Sequence, residues 1–482
     1  MTKNHILAYY PYSYNASGYH GLIQKIISEK FYVIDYNDLK KEIFLLHDID
    51  AVYLNWIEDR MDERDRALLL EAAAAGVRTY WVFHNRVSHD RDKEKECRAN
   101  IAFLLENVSD IIILSRSSMQ YLYEYAPWLE QRKVHYLPHP EYIGNYGALE
   151  NPAFKREIDN SVFVFGCIGS LRPDKNIEVT IKAFKRFPYR KESRLFIIGG
   201  LDREDYLEPL EKLINGEENI ILLPEHIPDY MMNFYVESAD VLVLPYDIKT
   251  SMNSGVMLLA FTNKRTVIVS DICMTEEFND GQFYRYSYAD DEDHIVKLTA
   301  QMEKAYMDGR AAVRKKGESL YEEILKNNLK KNVKKGLYKI LEELPARNIR
   351  QELVQILDKE YQDKELWRRR YTISDAWLRN VLSGNTFIRH LKENRMKRIA
   401  IYGFGKYGKM LYREMKKQKI PVACIIDQNA GKISENVPAC TLDDLQESLD
   451  IVIVTVVADI EAVRICCHRF NEDCYVFSLG DV

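Results

Sequence analysis

Glycines and basic residues follow one another closely in the segment FGCIGSLRPDKN, residues 165–176. Gly169 and Ser170 come directly after a predicted buried strand, and Arg172 and Lys175 come just before a predicted helix. Proteins bind phosphate with backbone amides at such a turn together with a cation. The segment therefore predicts a phosphate site, although an ordinary strand-to-helix turn that carries a lysine fits the same pattern.

A second candidate phosphate site lies in residues 240–260. A predicted buried strand is followed by a polar loop, and Asn253, Ser254 and Gly255 then open an apolar helix. Ser254 can cap this helix, and Gly255 lets a ligand approach the backbone. Free amides at the helix N-terminus would hold a diphosphate. The alternative interpretation is an ordinary capped helix without a ligand.

A glycine-rich motif stands near the C-terminus. Gly403, Gly405 and Gly408 follow a predicted strand and open a helix, and Asp427 lies 19 residues after Gly408. This pattern is the fingerprint of dinucleotide-binding domains. The last 85 residues leave room for only one mononucleotide-binding half, so hydride chemistry with NAD is disfavoured. Three alternatives stay open: a nucleotide-sugar site, a docking or dimerisation role without ligand, and glycines that only allow tight packing of strand and helix.

Short apolar runs that predict buried strands alternate with helical stretches at three places in the chain. Such strands separated by helices are typical of parallel sheets covered on both faces. The predicted fold class is α/β, with two doubly wound Rossmann-like domains facing a cleft, a helical linker and a small third Rossmann-like domain. The predicted boundaries are 1–150, 151–325, 326–395 and 396–482. The strand-like runs are 5–9, 31–35, 50–54, 77–83, 110–114, 133–137, 162–167, 194–198, 219–223, 240–244, 266–270, 398–402, 422–427, 450–457 and 474–479.

Composition narrows the class of protein. The 482 residues include 67 Lys or Arg and 73 Asp or Glu, and the net charge of −6 argues against a nucleic-acid partner. No apolar run approaches the roughly 20 residues of a membrane helix, and the N-terminal residues lack the layout of a signal peptide, so we expect a cytoplasmic protein. The eight cysteines show no metal-ligand spacing. The basic amphipathic run 326–339 fits a solvated helix face or docking on an anionic membrane surface.

Together, these pieces resemble the GT-B glycosyltransferases, and in particular the retaining, group-4-like branch of bacterial polysaccharide assembly. The matching segments fall in order within about residues 1–340. They are WVFHN with His89, LPHPEY, GSLRPDKN, LFIIGG, and ADVLVLPY followed by NSGV. The resemblance implies a nucleotide-sugar donor held by the second domain, an acceptor held mainly by the first, and no metal requirement.

The resemblance also assigns roles to residues. Lys175 matches the lysine that neutralises the donor diphosphate, and Arg172 stands two positions from Ser170, where the family has its partner arginine. Ser254 and Gly255 match the helix start that cradles the distal phosphate. His84 matches the histidine that reaches the donor sugar, with His89 and His139 as further candidates.

One departure from the family pattern matters. The family commonly has two glutamates eight residues apart near this helix, and this chain has Ser251 and Leu259 there. Glu225 and Asp247 are acidic residues nearby, although solvated loop carboxylates fit them as well.

The predicted function is that of a hexosyltransferase. It would move a sugar from a nucleotide-sugar donor to a glycan or lipid-linked acceptor in surface polysaccharide biosynthesis, in the cytoplasm or at the inner face of the membrane. A non-catalytic nucleotide-sugar-binding subunit is the first alternative, because the glutamate pair is missing. An oxidoreductase acting through the third domain is the second. It is disfavoured because Leu411 stands where a catalytic Tyr-x-x-x-Lys motif starting at Tyr407 would need lysine.

Overall fold

The structure is a computed structural model of the chain. It describes residues 5–12, 18–41, 46, 48–88, 90–130, 133–150, 152–155, 162–341, 344, 351–382, 384, 386–394, 396–458 and 460–482.

The first sheet has six parallel strands in the order β2-β1-β3-β4-β5-β6. Its strands are β1 Ile6–Tyr10, β2 Tyr32–Asp35, β3 Ala51–Asn55, β4 Arg78–Phe83, β5 Asp110–Ile113 and β6 Val134–Tyr136. The helices between them are α1 Tyr19–Ser28, α2 Tyr36–Lys41, α3 Glu63–Ala74, α4 Glu94–Asn107 and α5 Met119–Tyr125. Apolar cores cover both faces of the sheet, which explains why its strands are continuous hydrophobic runs.

The second sheet is also parallel, with six strands in the order β12-β11-β10-β7-β8-β9. Its strands are β7 Phe163–Ile168, β8 Ser193–Ile198, β9 Ile220–Leu223, β10 Val241–Leu244, β11 Thr266–Ser270 and β12 Tyr284–Tyr286. The helices of this part of the chain are α6 Pro152–Lys155, α7 Ile177–Arg186, α8 Leu207–Ile214, α9 Met232–Glu237 and α10 Gly255–Thr262. The strand order reverses between β7 and β10, and α/β sheets bind ligands at such a switch point.

Among the described residues, four helices lie between the second and the third sheet along the chain. They are α11 Asp291–Asn327, α12 Lys330–Leu341, α13 Gln351–Leu382 and α14 Thr386–Glu393. α11 is kinked at Gly309, and the basic run 326–339 is split between α11 and α12. Val333, Leu337 and Ile340 of α12 are buried in the core of the first sheet. The apolar face of α12 is therefore not available to a membrane surface.

The third sheet is parallel, with five strands in the order β15-β14-β13-β16-β17. Its strands are β13 Ile399–Tyr402, β14 Cys424–Ile426, β15 Ala439–Cys440, β16 Ile451–Val454 and β17 Tyr475–Ser478, and its helices are α15 Lys406–Lys417 and α16 Ile460–His468. Three parallel sheets with covering helices confirm the predicted α/β fold class.

The chain forms two compact units. The first unit contains residues 1–143, 160–227 and 236–358, and the second contains 144–159, 228–235 and 359–482. Within the second unit, the ring of Tyr230 packs against Phe387 and Phe477, and the Asn394 side chain hydrogen-bonds both the backbone N–H and the carbonyl of Glu150. Two segments distant in sequence from the third sheet thus belong to its unit. The fourfold division at residues 150, 325 and 395 stays a prediction.

In the described residues, no helix is long and apolar enough to cross a membrane. All eight cysteines are free thiols, and no group of three or more His, Cys, Asp or Glu in those ranges could hold a metal ion.

Candidate functional site

The candidate site begins at the carboxyl ends of β7 and β10. A small cavity of about 30 Å³ lies there, and Gly169, Ser170, Lys175, Tyr246 and Val256 are among the residues that line it. Gly169 has a φ of +122°, a backbone conformation that favours glycine, so the chain can turn sharply beneath the start of α10. The two predicted phosphate segments therefore meet at one place.

Lys175 lines this cavity, and Arg172 supplies a second positive charge near it. The Lys175 ammonium lies 4.4 Å from the centroid of the Tyr246 ring. Burial, together with the nearby Arg172 guanidinium, lowers the pKa of Lys175 to about 8. Arg172 donates to Asp174 at 3.1 Å, while its Nε is buried without a hydrogen-bond partner. No carboxylate lies within ion-pair distance of Lys175 in the described ranges, so the arrangement favours an anionic ligand.

The N-terminus of α10 forms the opposite wall. The Ser254 hydroxyl oxygen accepts from the Met257 N–H at 3.1 Å and also hydrogen-bonds the Tyr246 hydroxyl at 2.6 Å. Ser254 thus caps the helix with a buried side chain. A phosphate role at this end would therefore fall to the backbone amides of Gly255 and Val256.

Asn253 faces the loops of the first sheet. Its side-chain oxygen accepts from the Ser115 hydroxyl at 2.7 Å, and its side-chain nitrogen donates to the His84 carbonyl at 3.3 Å. Asn85 and Ser251 form an isolated antiparallel bridge beside these contacts. Asn253 thus holds the loop before α10 against the first sheet.

His139 lies directly against the start of α10. Its Nδ1 is 2.7 Å from the carbonyl oxygen of Pro140 and must donate to it, so Nε2 carries the lone pair. A Cβ built on Gly255 would lie 3.6 Å from this Nε2 and 2.9 Å from the Tyr142 hydroxyl oxygen. Burial lowers the pKa of His139 to about 4, so the ring is neutral at pH 7. The Tyr142 hydroxyl lies 3.4 Å from this Nε2 and donates to it, so the lone pair is already engaged within the chain.

His84 is a buried, neutral neighbour of this contact. Its ring stacks on Trp56 with 3.9 Å between centroids. Its Nε2 donates to the Asn55 side-chain oxygen at 3.1 Å, an assignment that holds because the Asn55 amide nitrogen donates to the Tyr10 carbonyl. Burial, followed by His139 and His20, holds the pKa of His84 well below its ordinary value. His84 cannot supply a positive charge at neutral pH, and His89 lies outside the described residues.

Tyr19 connects the two histidines. Its ring centroid is 5.1 Å from that of His84 and 4.9 Å from that of His139. Sequence reasoning missed Tyr19, Tyr142 and the contact of Tyr246 with Lys175. These contacts join residues far apart in the chain, and no local pattern indicates them.

A larger cavity of about 240 Å³ opens on the other side of His139. Glu277 accepts from Arg116 at 2.6 Å and from the Tyr136 hydroxyl at 2.8 Å on its wall. These bonds tie the segment after β11 to the loop after β5 and to the end of β6. The cavity is lined by Leu114, Arg116, Tyr136, Pro138, His139, Met274, Glu277, Phe278, Lys326, Asn327 and Asn328.

The positions of the missing glutamate pair are both buried. The Ser251 hydroxyl is buried without a hydrogen-bond partner, and Leu259 is a buried residue of α10. Asp247 accepts from the Lys249 N–H at 2.8 Å and so shapes the loop, while Glu225 is exposed.

The structure brings the C-terminal glycine motif together at the turn between β13 and α15. Gly403 has a φ of +86°, and a Cβ at Gly408 would collide with the Gly403 carbonyl. Asp427 accepts from the Phe404 N–H at 2.6 Å and from the Asn429 N–H at 2.8 Å, so both of its oxygens are engaged by the chain itself. Gly405 faces open space. Tight packing accounts for Gly403 and Gly408, and a nucleotide role for Gly403, Gly405, Gly408 and Asp427 stays a prediction.

Residues 150–319 match the family model described as glycosyl transferases group 1, a match that covers less than half of the chain. The sequence matches none of the curated proteins with which it was compared.

Solved structures of low sequence identity share the fold. Anabaena HepE in complex with UDP and glucose is 12% identical, with a TM-score of 0.55 over 70% of this chain and 100% of that one. Sucrose-phosphate synthase from Thermosynechococcus elongatus is 14% identical, with a TM-score of 0.52 over 65% of this chain and 80% of that one. A trehalose-phosphate synthase from Burkholderia vietnamiensis is 13% identical, with a TM-score of 0.50 over 69% of this chain and 77% of that one. The chain thus has a GT-B-like fold, and its residues 150–319 are similar to the group 1 glycosyl transferases.

Proposed function

We propose that this chain is a glycosyltransferase that moves a sugar from a nucleotide-sugar donor to an acceptor hydroxyl. The observation that carries the proposal is that Lys175, with the charge of Arg172 close to it, lines a cavity shared with Val256 of α10 at the switch point of the second sheet. The family match over residues 150–319 contains all of these groups. HepE is described in complex with UDP, so UDP is the first nucleotide to test.

The chemistry follows from where charge develops. Cleavage of the sugar–phosphate bond leaves negative charge on the departing diphosphate, and the two cations and the helix dipole stabilise that charge. Removing one such donor typically raises the barrier by ~3–4 kcal/mol. The neutral His139 and the Tyr142 hydroxyl that donates to it stand at the same helix end and would orient a sugar hydroxyl.

We also propose the type of sugar transferred, the stereochemical outcome and the class of acceptor. Hexosyl transfer with retention, in surface polysaccharide assembly at the inner face of the membrane, is supported by the segment order seen in the sequence. A glycan or a lipid-linked sugar would be the acceptor, held on the first-sheet side of the cleft.

A nucleotide-sugar-binding subunit without catalysis is the second candidate. It is favoured by Ser251 and Leu259, which leave no carboxylate at either position of the family's glutamate pair.

Release of nucleoside diphosphate separates the two candidates. The full-length protein is incubated with UDP-sugars and a panel of acceptors, and UDP release is followed with a coupled assay. We expect turnover that Lys175→Ala lowers at least 100-fold and that Lys182→Ala, on the exposed side of α7, leaves unchanged. Tight binding of a nucleotide-sugar without UDP release over the full acceptor panel would favour the binding subunit.

A further inference from the structure

Helix α13 carries an exposed apolar stripe. Trp367 is 69% exposed, Tyr371 72%, Leu378 55% and Leu382 77%. Intervals of four, seven and four residues place these side chains on one face of the helix. Ile373, Ala376 and Trp377 on other sides of α13 are buried. The helix is thus anchored in its unit and still presents a second apolar face.

The size of the stripe indicates a function. A tryptophan or tyrosine contributes ~150–250 Å² of surface when it is fully covered, so the stripe with Val381 exposes several hundred Å². The largest apolar patch on an ordinary monomer is about 300–600 Å² and is often a binding site.

The charges along the stripe are predominantly positive. Residues 367–382 of α13 contain four arginines and one aspartate, in a chain whose net charge is −6. The Arg370 guanidinium lies 5.9 Å from the Trp367 ring, and Arg379 is exposed and pairs with Asp375 at 2.8 Å. Trp, Tyr and Leu on one helix face, flanked by arginines, are typical of helices that lie in the interface of an anionic bilayer.

Pairing with a second copy fits these charges less well. An antiparallel pair that matches Trp367 with Leu382 and Tyr371 with Leu378 places Arg370 opposite Arg379 of the other copy. A parallel pair in register places each arginine opposite itself. Like charges at such positions oppose association.

We propose that the exposed face of α13 docks the protein on an anionic lipid surface. The site of membrane contact is thus α13 and not α12, whose apolar face is buried in the first unit. The biological purpose of this docking rests on the proposed function, because an enzyme held at the membrane meets a lipid-linked acceptor. Docking itself requires no catalysis.

Vesicle binding of the full-length protein tests the proposal. Sedimentation with phosphatidylcholine vesicles is compared with sedimentation with vesicles that also contain about a third phosphatidylglycerol. We expect binding to the anionic vesicles at least tenfold tighter than to the neutral ones, and weaker at high salt. The double variant W367E/L382E should lose at least tenfold in affinity, and R370E/R379E should lose the preference for anionic lipid.

The matched control is V296E/M307E, which changes two exposed apolar side chains of α11. It should bind vesicles like the unaltered protein. No preference for anionic vesicles, or equal loss in the control, would overturn the proposal. So would a dimer that W367E/L382E dissociates without any vesicle binding. UDP binding measured on the same samples reports on the proposed function separately, and W367E/L382E should leave it unchanged.

Discussion

Lys175 is the residue whose charge state matters most to the candidate site. Its ammonium is partly desolvated beside Arg172, which lowers its pKa to about 8. An anionic ligand would restore the charged form, so its binding must be coupled to proton uptake above that pH. Neutral histidines next to the helix start, by contrast, do not titrate near pH 7.

The affinity for UDP should therefore fall as the pH rises above 8. Below that pH the free site already carries the ammonium. Above it, each further pH unit weakens binding up to about tenfold until the pKa of the complex is reached. Titration calorimetry from pH 6.5 to 9.5 measures this slope. Lys175→Arg does not titrate in this range and should give a flatter profile; a flat profile for the unaltered protein would contradict the role of Lys175.

Glu58 predicts a pH dependence of stability that is separate from the site. It is fully buried, accepts from the Trp81 indole N–H at 3.0 Å, and burial raises its pKa to about 8. The folded state therefore binds a proton that the unfolded state releases above its ordinary pKa. Stability should fall as the pH rises from about 5 to 8, by up to ~1.4 kcal/mol per pH unit. In urea denaturation, Glu58→Gln should remove this slope, and the same slope in the variant would rule Glu58 out as its source.

At the scale of elements, the short helix α10 is placed by close contacts at both sides. Ser254 caps it, and Tyr142 and His139 lie against its first residue. An open helix end requires that position 255 has no side chain, because the space that a Cβ would fill is already occupied.

Gly255→Ala should therefore weaken UDP binding. Its Cβ would lie 2.9 Å from the Tyr142 hydroxyl oxygen, and such overpacking costs about 1–3 kcal/mol. The double variant with Tyr142→Phe removes that oxygen and should recover part of the stability and affinity, with Tyr142→Phe alone as the control. Thermal denaturation with and without UDP measures both. Unchanged binding by Gly255→Ala would place the ligand away from this helix end.

The strands were the part of the fold most readily predicted from sequence. Runs such as 77–83 and 240–244 are mostly apolar because both faces of each sheet are covered, and they correspond to β4 and β10. The break between α11 and α12 was not predicted, because no glycine or proline marks it. In the candidate site, Lys175 and the start of α10 were found from local patterns. The contact of Tyr246 with Lys175 and the burial of His84 depend on residues far apart in the chain, so local patterns could not predict them.

At the scale of the whole molecule, the second unit recruits two segments from the middle of the chain. Residues 144–159 and 228–235 belong to it, with Gly147 packed so closely that a Cβ there would collide with the Tyr475 ring. The core of the unit that contains the third sheet therefore includes side chains from these two earlier segments as well.

Tyr230→Ala should strongly destabilise this unit. The ring is 3% exposed and packs on Phe387 and Phe477, and truncation of a buried aromatic side chain typically costs about 3–5 kcal/mol. Guanidinium denaturation followed by circular dichroism measures the loss. Tyr371→Ala, at an exposed position, should change stability by less than about 0.5 kcal/mol. Equal effects of the two changes would contradict the described packing.

Binding of a nucleoside diphosphate at Lys175 is tested most directly by thermal denaturation of the full chain with UDP, GDP, TDP, ADP and NAD. A ligand at 100 times its dissociation constant adds about 2.7 kcal/mol of stability, which shifts the melting temperature measurably. We expect one nucleoside diphosphate to raise the melting temperature of the unaltered protein and of the Lys182→Ala variant. The Lys175→Ala variant should show no such rise. Stabilisation by NAD alone, with no effect of Lys175→Ala, would contradict nucleotide binding at Lys175 and would indicate a ligand site at the third sheet.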